Sequence, residues 1–418
     1  MDTTTSKFST LKARADQAIL GTYARFPVAF ERGEGRQVFD FDGKRYLDFA
    51  AGIAVNSIGH AHPRIAKTLF EQASKLIHTS NLYYTEPGID LAERLVKLFG
   101  AGRIFFCNSG AEANEGLFKL ARKYGQETDR FEIITALNSF HGRTLGGIAA
   151  TGQDKIKKGF NPIIPGFTHV PYNDLKAVEA AIGPKTVAVM IEGIQGEGGI
   201  TPATPEYLLG LRKLCDQKNL LLLFDAVQCG HFRTGRFQSY QRILEDTVGE
   251  SSFFPDAVSF AKSIGGGFPM GGFWLPEKHI NQLPAGSHGT TFGGTPLACA
   301  VANTVLDVIS EEGLEANARE LGAKFSDELN KLIALFPAML KEVRGIGLML
   351  GLELKGEASQ LKHETLTPAQ VVINKLLAEG LLVVPSGEKI LRFLPPLNTT
   401  KAEVDEAISI LKKVFQNL

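Results

Sequence analysis

Between Leu91 and Gly294 the chain alternates short, unbroken apolar runs with longer stretches whose apolar residues recur every three or four positions. The runs are RIFFC (103–107), EIITAL (132–137), TVAVMIE (186–192), LLLLFDAV (220–227), AVSFA (257–261) and GGFWL (271–275). An unbroken run of this length reads as a strand buried on both faces, since a half-exposed strand alternates. The stretches 115–124 and 207–218 carry the helical spacing instead. Strand and helix in alternation predict an α/β fold around a mainly parallel sheet covered on both faces.

The flanks have a different texture. Residues 9–20 read as a helix, followed by two short strands, QVFDF and YLDFA, on either side of an Asp42-Gly43 turn. In the next helix Ile65, Leu69, Ala73 and Leu76 share one face. Past Gly294 come helices over 296–311 and 314–335, strands within VRGIGLMLGLEL and LLVVPSG, and a last helix over 401–416. The expected organisation is an N-terminal segment (1–55), a large domain (56–294), and a smaller α/β domain with its connecting helix (295–418), which the N-terminal segment joins.

Composition narrows the partners. A chain of 418 residues with 45 basic and 45 acidic side chains has no charge excess to attract nucleic acid or a membrane surface. No apolar run is long enough to span a bilayer. The four cysteines, Cys107, Cys215, Cys229 and Cys299, form no CxxC pair and suit a reducing compartment. The Ser/Thr-rich start invites a targeting reading that Asp2 and Asp16 oppose, so the expected location is cytoplasmic. His60 and His62 have no ligand cluster around them and read as turn or packing residues, with no metal expected.

Three strand ends carry candidate chemistry. Lys262 closes the run AVSFA and precedes Gly265-Gly266-Gly267. A buried ammonium is costly, and burial lowers its pKa and frees the amine for bonding to a carbonyl. The alternative is a lysine that reaches solvent. Asp225 directly follows an apolar strand, at the end where open α/β sheets bind ligands. It pairs with Lys262 or with a ligand. In CNSGAEANEG (107–116), Ser109 and Glu112 have capping-box spacing, while Gly110 and Ala111 leave the first helical turn open to an anion. Neither a P-loop nor a dinucleotide fingerprint is present, and GIGLMLG (345–351) has the wrong spacing for one. An anion seat, an acid and an amine on three strand ends meet the needs of pyridoxal phosphate. Arg143, Glu197 and Arg392 stand in glycine-rich loops, as carboxylate-binding groups or as interdomain ion pairs.

The blocks AGIAVNSIGHAHP, SNLYYTEP, NSGAEANE, SFHGRTLG, EGIQGEGG, FDAVQCG, FAKSIGGGFPMGG, HGTTFGG and LRFLPPLN occur in this order over nearly the whole chain. In them the sequence resembles the class III pyridoxal-phosphate aminotransferases of fold type I. The resemblance implies a seven-stranded sheet, pyridoxal 5′-phosphate as cofactor, and a homodimer with shared active sites. It implies that Lys262 bonds covalently to the cofactor and transfers the proton, and that Asp225 holds the pyridine nitrogen protonated. Phe140 and Val227 would sandwich the ring, and Gln228 would stand near its phenolic oxygen. Gly110 and Ala111, with Ser109, would cradle the phosphate. Thr291, with Thr290 beside it, would reach the phosphate or substrate of the other subunit. Arg143 would grip the carboxylate of the amine donor. Arg392 would take the α-carboxylate of 2-oxoglutarate or glutamate, with Glu197 neutralising it otherwise.

Among amine donors the resemblance ranks N-acetylornithine first, because Ile53 stands where ornithine-specific members would carry a tyrosine. Ornithine, succinylornithine and 4-aminobutyrate follow, and aminomutases share the scaffold. A catalytically silent relative is the alternative of another class, and a nicotinamide dehydrogenase lacks its fingerprint. The chain departs from the family pattern at Ala226, where an acid is usual, and at His231, Phe232, Gly193 and Thr295. None of these removes the amine, its acid partner or the anion seat. Ala226→Glu is therefore expected to change stability or turnover and to leave cofactor binding intact. A variant that loses the bound cofactor's absorbance would contradict this.

Overall fold

The computed structural model describes residues 6–247 and 253–418; residues 1–5, Asp2 among them, lie outside the described residues. A seven-stranded sheet organises the molecule. Its strands in chain order are β1 (Gly102–Cys107), β2 (Glu132–Ala136), β3 (Phe167–Val170), β4 (Thr186–Glu192), β5 (Leu221–Asp225), β6 (Ala257–Ala261) and β7 (Gly271–Pro276). Their spatial order is β1-β7-β6-β5-β4-β2-β3. The strands from β6 to β3 are mutually parallel, and β7 runs against both of its neighbours. Strand β3 has no counterpart among the apolar runs, because this edge strand is short, half-buried and carries Thr168 and His169.

Both faces of the inner strands are dry, as unbroken apolar runs require. Leu222 and Phe224 of β5 pack on one side with Leu208 and Leu211 of the helix Pro205–Lys218. Leu221 and Leu223 point the other way, toward Leu117, Leu120 and Ala121 of the helix Gly110–Gly125. This two-residue alternation splits one strand between two cores. The run 220–227 is shorter as a strand than it reads: pairing ends at Asp225, and the next residues turn out of the sheet, Val227 N–H donating to Asp225 Oδ1 at 3.0 Å.

The N-terminal hairpin belongs to a second core. Its strands Gln37–Asp40 and Arg45–Asp48 pair antiparallel, and Arg45–Asp48 pairs in turn with Leu381–Leu382 from the far end of the chain. Gly347 and Leu348 break VRGIGLMLGLEL into the antiparallel strands Leu340–Ile346 and Met349–Leu354, so the glycine pattern there serves a tight hairpin. The helix Pro296–Glu311 packs on the large-sheet core, whereas Leu314–Leu335 spans both: Leu314, Ala318 and Leu321 join the first, Phe325, Leu329 and Leu332 the second. Among the described residues no helix is long and apolar enough to cross a membrane.

Phe49 is fully buried where the hairpin meets the C-terminal elements, edge-on to Phe325 at 5.5 Å, and Phe325 continues the stack to Phe393. Phe49→Ala is expected to cost about 3–5 kcal/mol of unfolding free energy in a denaturant titration. A loss under about 1 kcal/mol, the effect of an ordinary surface substitution, would show that this aromatic stack does not tie the two chain ends together.

Candidate active site

The carboxyl ends of β4, β5 and β6 lie side by side. Asp225 is in register with Glu192 on one neighbour and with Ser259 on the other, and Lys262 directly follows β6. Above this rim opens a cleft of about 410 Å³, which both acids and the lysine line. That volume suits a small organic ligand.

Lys262 adopts φ +52°, a left-handed conformation that costs a residue with a Cβ. Burial lowers its amine to about 8, with the Arg392 charge acting the same way and Glu197, Asp225 and Glu192 opposing. Among the described residues it has no hydrogen-bond or ion-pair partner. The Asp225–Lys262 pair that the strand ends suggested is therefore not formed. Asp225 is 3% exposed and meets its partners elsewhere: His141 Nδ1–H at 2.8 Å and Asn114 Nδ2–H at 2.7 Å, both on Oδ2, and Val227 N–H on Oδ1.

The anion seat is the start of the helix Gly110–Gly125. Ser109 caps it, its Oγ accepting from Glu112 N–H at 3.2 Å. The reciprocal half of the capping box is displaced by one residue, for Glu112 accepts from the backbone of Asn108 at 2.8 Å. Gly110 is required by close approach: a Cβ there would stand 2.6 Å from Val227 Cγ1. The first turn, Phe140 and Val227 all face the cleft.

Arg392, 2% exposed, donates from Nη1 to Glu197 at 2.5 Å and to Gln228 Oε1 at 3.0 Å. Its carboxylate partner is held below the usual range: burial pushes Glu197 up, but the Arg392 charge outweighs it. Arg143 makes no ion pair among the described residues and lies 5.5 Å over the Phe140 ring. Past it the cleft continues into a chamber of about 390 Å³ bounded by Lys155 and Lys158. Thr290 is not at this cleft; its Oγ1 accepts from Asn108 Nδ2 and it sits behind the seat, with Thr291 exposed beside it. Ile53 also lies outside, where Val55 lines the wall instead.

The departures from the family pattern sit behind the site. Ala226 is part of the large core, and Gly193 leaves no room for a side chain, since a Cβ would stand 2.3 Å from Ser239 Oγ. His231 and Phe232 are buried with positive φ. His60 pairs with Asp48 at 2.7 Å and His62 caps a helix, as turn and packing residues do.

Sequence reading missed three residues of the rim. His141 and Asn114 hold Asp225, and Glu192 accepts from Phe140 N–H and Gly196 N–H, both at 3.0 Å. Burial raises the Glu192 carboxyl to about 7, His141 pulling it down and Asp225 pushing it up. Glu192 carried the same signal as Asp225, an acid closing a fully apolar strand. His141 lay in a quoted block, but nothing in a lone histidine says which acid it will meet.

A strand order of this kind, with a lysine beyond one strand and an acid at the end of its neighbour, defines a fold type I transferase. The chain belongs to the class-III aminotransferases, whose family model matches residues 21–415. It is 46% identical to the acetylornithine aminotransferase of Methanocaldococcus jannaschii over 96% of both chains. The ornithine aminotransferase of Toxoplasma gondii, in a structure described with partial occupancy of PLP at its active site, superposes with a TM-score of 0.90 at 33% identity, covering 98% of this chain and 94% of that one. The acetylornithine aminotransferase of Elizabethkingia anophelis gives 0.84 at 30% identity, over 99% and 100%.

Class-III aminotransferases depend on pyridoxal phosphate. The cleft fits that group: an unpaired amine of lowered pKa, a carboxylate with an acceptor position left, and a helix start that a single added Cβ would spoil. Gly110→Ala is expected to lose about 1–3 kcal/mol through overpacking against Val227, and the added Val227→Ala to recover most of it. Additive losses in the double variant would contradict the contact.

Proposed function

We propose that the chain transfers the terminal amine of N-acetylornithine to 2-oxoglutarate, giving N-acetylglutamate semialdehyde and glutamate, a step of arginine biosynthesis. The observation that carries this reading is the unequal state of two arginines around one free amine. Arg392 is already neutralised by Glu197, while Arg143 is unpaired at the mouth. A donor whose reacting end bears no carboxylate, and whose own carboxylate is remote, meets that arrangement as it stands. A 2-oxoacid with two carboxylates needs Arg392 released. The chamber beyond Arg143 adds room and two cations for the donor's far end. The 46% identity to an acetylornithine aminotransferase supports the same donor.

Bound in the cleft, pyridoxal phosphate supplies an aldehyde for the amine and a ring that takes up electrons. Lys262 would hold it covalently, and once displaced its neutral Nζ would move the proton of the donor's terminal carbon. Asp225 would hold the ring nitrogen's proton, with Phe140 and Val227 on the two faces and Gln228 at the phenolic oxygen. Ser109, Gly110 and Ala111 would take the phosphate on unpaired N–H groups of the helix start. Arg143 would bind the donor's carboxylate, and Arg392 that of 2-oxoglutarate after Glu197 swings away.

The second substrate-side pair points to a homodimer. Leu82 is 85% and Tyr84 96% exposed, in a segment that Asn81 Nδ2 fastens to the carbonyls of Thr290 and Gly293, and Phe292 between those two is 62% exposed. Such a patch is costly in water and suits a second copy, into whose cleft Thr291 would reach. The segments 1–55 and 295–418 would form the smaller domain carrying Arg392, against 56–294 carrying Lys262. Four buried free cysteines support a reducing, cytoplasmic setting.

The structural likeness to an ornithine aminotransferase favours ornithine as a second reading. A donor panel of N-acetylornithine, N-succinylornithine, ornithine and 4-aminobutyrate, with 2-oxoglutarate consumption followed, separates the two. N-acetylornithine is expected to lead ornithine by about tenfold or more in kcat/KM, the worth of one charge-assisted hydrogen bond. Glu197→Ala should lower KM for 2-oxoglutarate and slow the N-acetylornithine half-reaction. Ornithine ahead of the acetylated donor would overturn the assignment, and turnover without 2-oxoglutarate consumption would indicate an aminomutase.

A further inference from the structure

We infer that Ser386 is a positioning residue: its single hydroxyl ties together the two ends of the glycine loop 196–199 and so holds the Glu197 carboxylate on Arg392. The role rests on the proposed use of Arg392 for the carboxylate of 2-oxoglutarate, with Glu197 as the competitor that the oxoacid displaces.

The loop Gly196-Glu197-Gly198-Gly199 carries three glycines around its one acid. Close approach requires two of them. A Cβ on Gly196 would stand 2.5 Å from Gln228 Cδ, and one on Gly198 2.7 Å from the Asn138 carbonyl oxygen. Glycine gives up more conformational freedom on being fixed than any other residue, so such a loop does not stiffen itself. The restraint has to come from outside it.

Ser386 supplies that restraint at both ends. Its Oγ–H donates to Gly196 C=O at 2.9 Å, and its Oγ accepts from Gly199 N–H at 2.8 Å. A hydroxyl has one proton to give, and here it goes to Gly196. The side chain is 1% exposed, in a strand of the smaller sheet and 187 positions or more from the loop it holds. On the other side Glu192 accepts from Gly196 N–H, which fixes the peptide before the acid as well. What stays free to turn is the half-buried Glu197 side chain.

The same strand places the cation. Val384–Ser386 pairs antiparallel with Ile390–Phe393, and Val384 stands opposite Arg392. Arg392 donates from Nη2 to Pro385 C=O and from Nη1 to Gly196 C=O, both at 3.0 Å. The acid's loop and the guanidinium are thus fastened to one pair of strands. When a dicarboxylate takes the place of Glu197, these carbonyls still hold Arg392 and Ser386 still holds the loop. The incoming carboxylate competes with a tethered one, whose effective concentration at Arg392 depends on how tightly the tether is fixed.

The test uses holoenzyme and glutarate, a dicarboxylate with no oxo or amino group to react, whose dissociation constant is read by calorimetry. Ser386→Ala removes the hydroxyl, Ser386→Thr keeps it, and thermal melts are recorded alongside. Ser386→Ala is expected to bind glutarate about three- to tenfold more tightly, the worth of one neutral hydrogen bond lost by the competitor, and Ser386→Thr to match wild type. In a Glu197→Ala background the effect of Ser386→Ala should vanish, since the residue acts through Glu197. In turnover, kcat/KM should rise for 2-oxoglutarate and fall for N-acetylornithine, a split that a loosened fold alone does not produce. Folded Ser386→Ala with unchanged or weaker glutarate binding, or an effect undiminished without Glu197, would overturn the positioning role. If Ser386→Ala does not fold, Ser386→Cys, a weaker donor of similar size, decides: tighter glutarate binding supports the role and an unchanged constant overturns it. Wild type that binds glutarate and does not turn over N-acetylornithine would sink the proposed donor and leave this role standing. Wild type that binds no glutarate would overturn the use of Arg392, and this role with it.

Discussion

The site depends on which buried charges are paired with one another. Asp225 has its charge met by His141 and Asn114, and that frees Lys262 from service as a counterion. Were the two strand-end groups paired across the cleft, the lysine would stay an ammonium with no nucleophilic lone pair. A desolvated amine without a partner sits near the pH at which it becomes neutral. The sheet makes this possible by register: three parallel strands end at one height, so the separation between acid and amine is set by backbone pairing.

Around that rim the loops are held by carboxylates on backbone N–H groups. Glu192 ties the Phe140 loop to the Gly196 loop, and Glu112 ties Asn108 to the helix it precedes. Gly196 C=O in turn accepts from Arg392, so the Phe140 loop and Arg392 hang from one buried acid. Arg392 comes from Ile390–Phe393, whose Leu391 and Phe393 lie in the second core, so the Glu197–Arg392 pair ties the Gly196 loop to that core.

Much of this was legible in the chain. The apolar runs announced five of the sheet strands almost to the residue, because a strand dry on both faces cannot hide its composition. Phe167–Val170 escaped for the opposite reason, as a half-wet edge with polar residues. Lys262, Asp225 and the Gly110 seat could be named because each stands at the end of such a run. His141 and Asn114 could not: they lie 84 and 111 positions from Asp225, and only the loop after β2, two strands along the same sheet, and the seat helix packed on β5 bring them to it. Thr290 and Thr291 were expected at the cleft of a second copy, and this chain's own cleft is lined without them.

The proposed chemistry stands on the amine at position 262 being the covalent seat of the cofactor and losing its proton near pH 8, well below an ordinary lysine. Apoenzyme incubated with pyridoxal phosphate across a pH series, reduced with borohydride and mapped by mass spectrometry, addresses both at once. The account predicts a single labelled peptide containing Lys262, with labelling half-maximal near pH 8, where burial places its amine. Label spread over surface lysines, or confined to Lys262 but rising only near the ordinary lysine range of about 10.4, would contradict it.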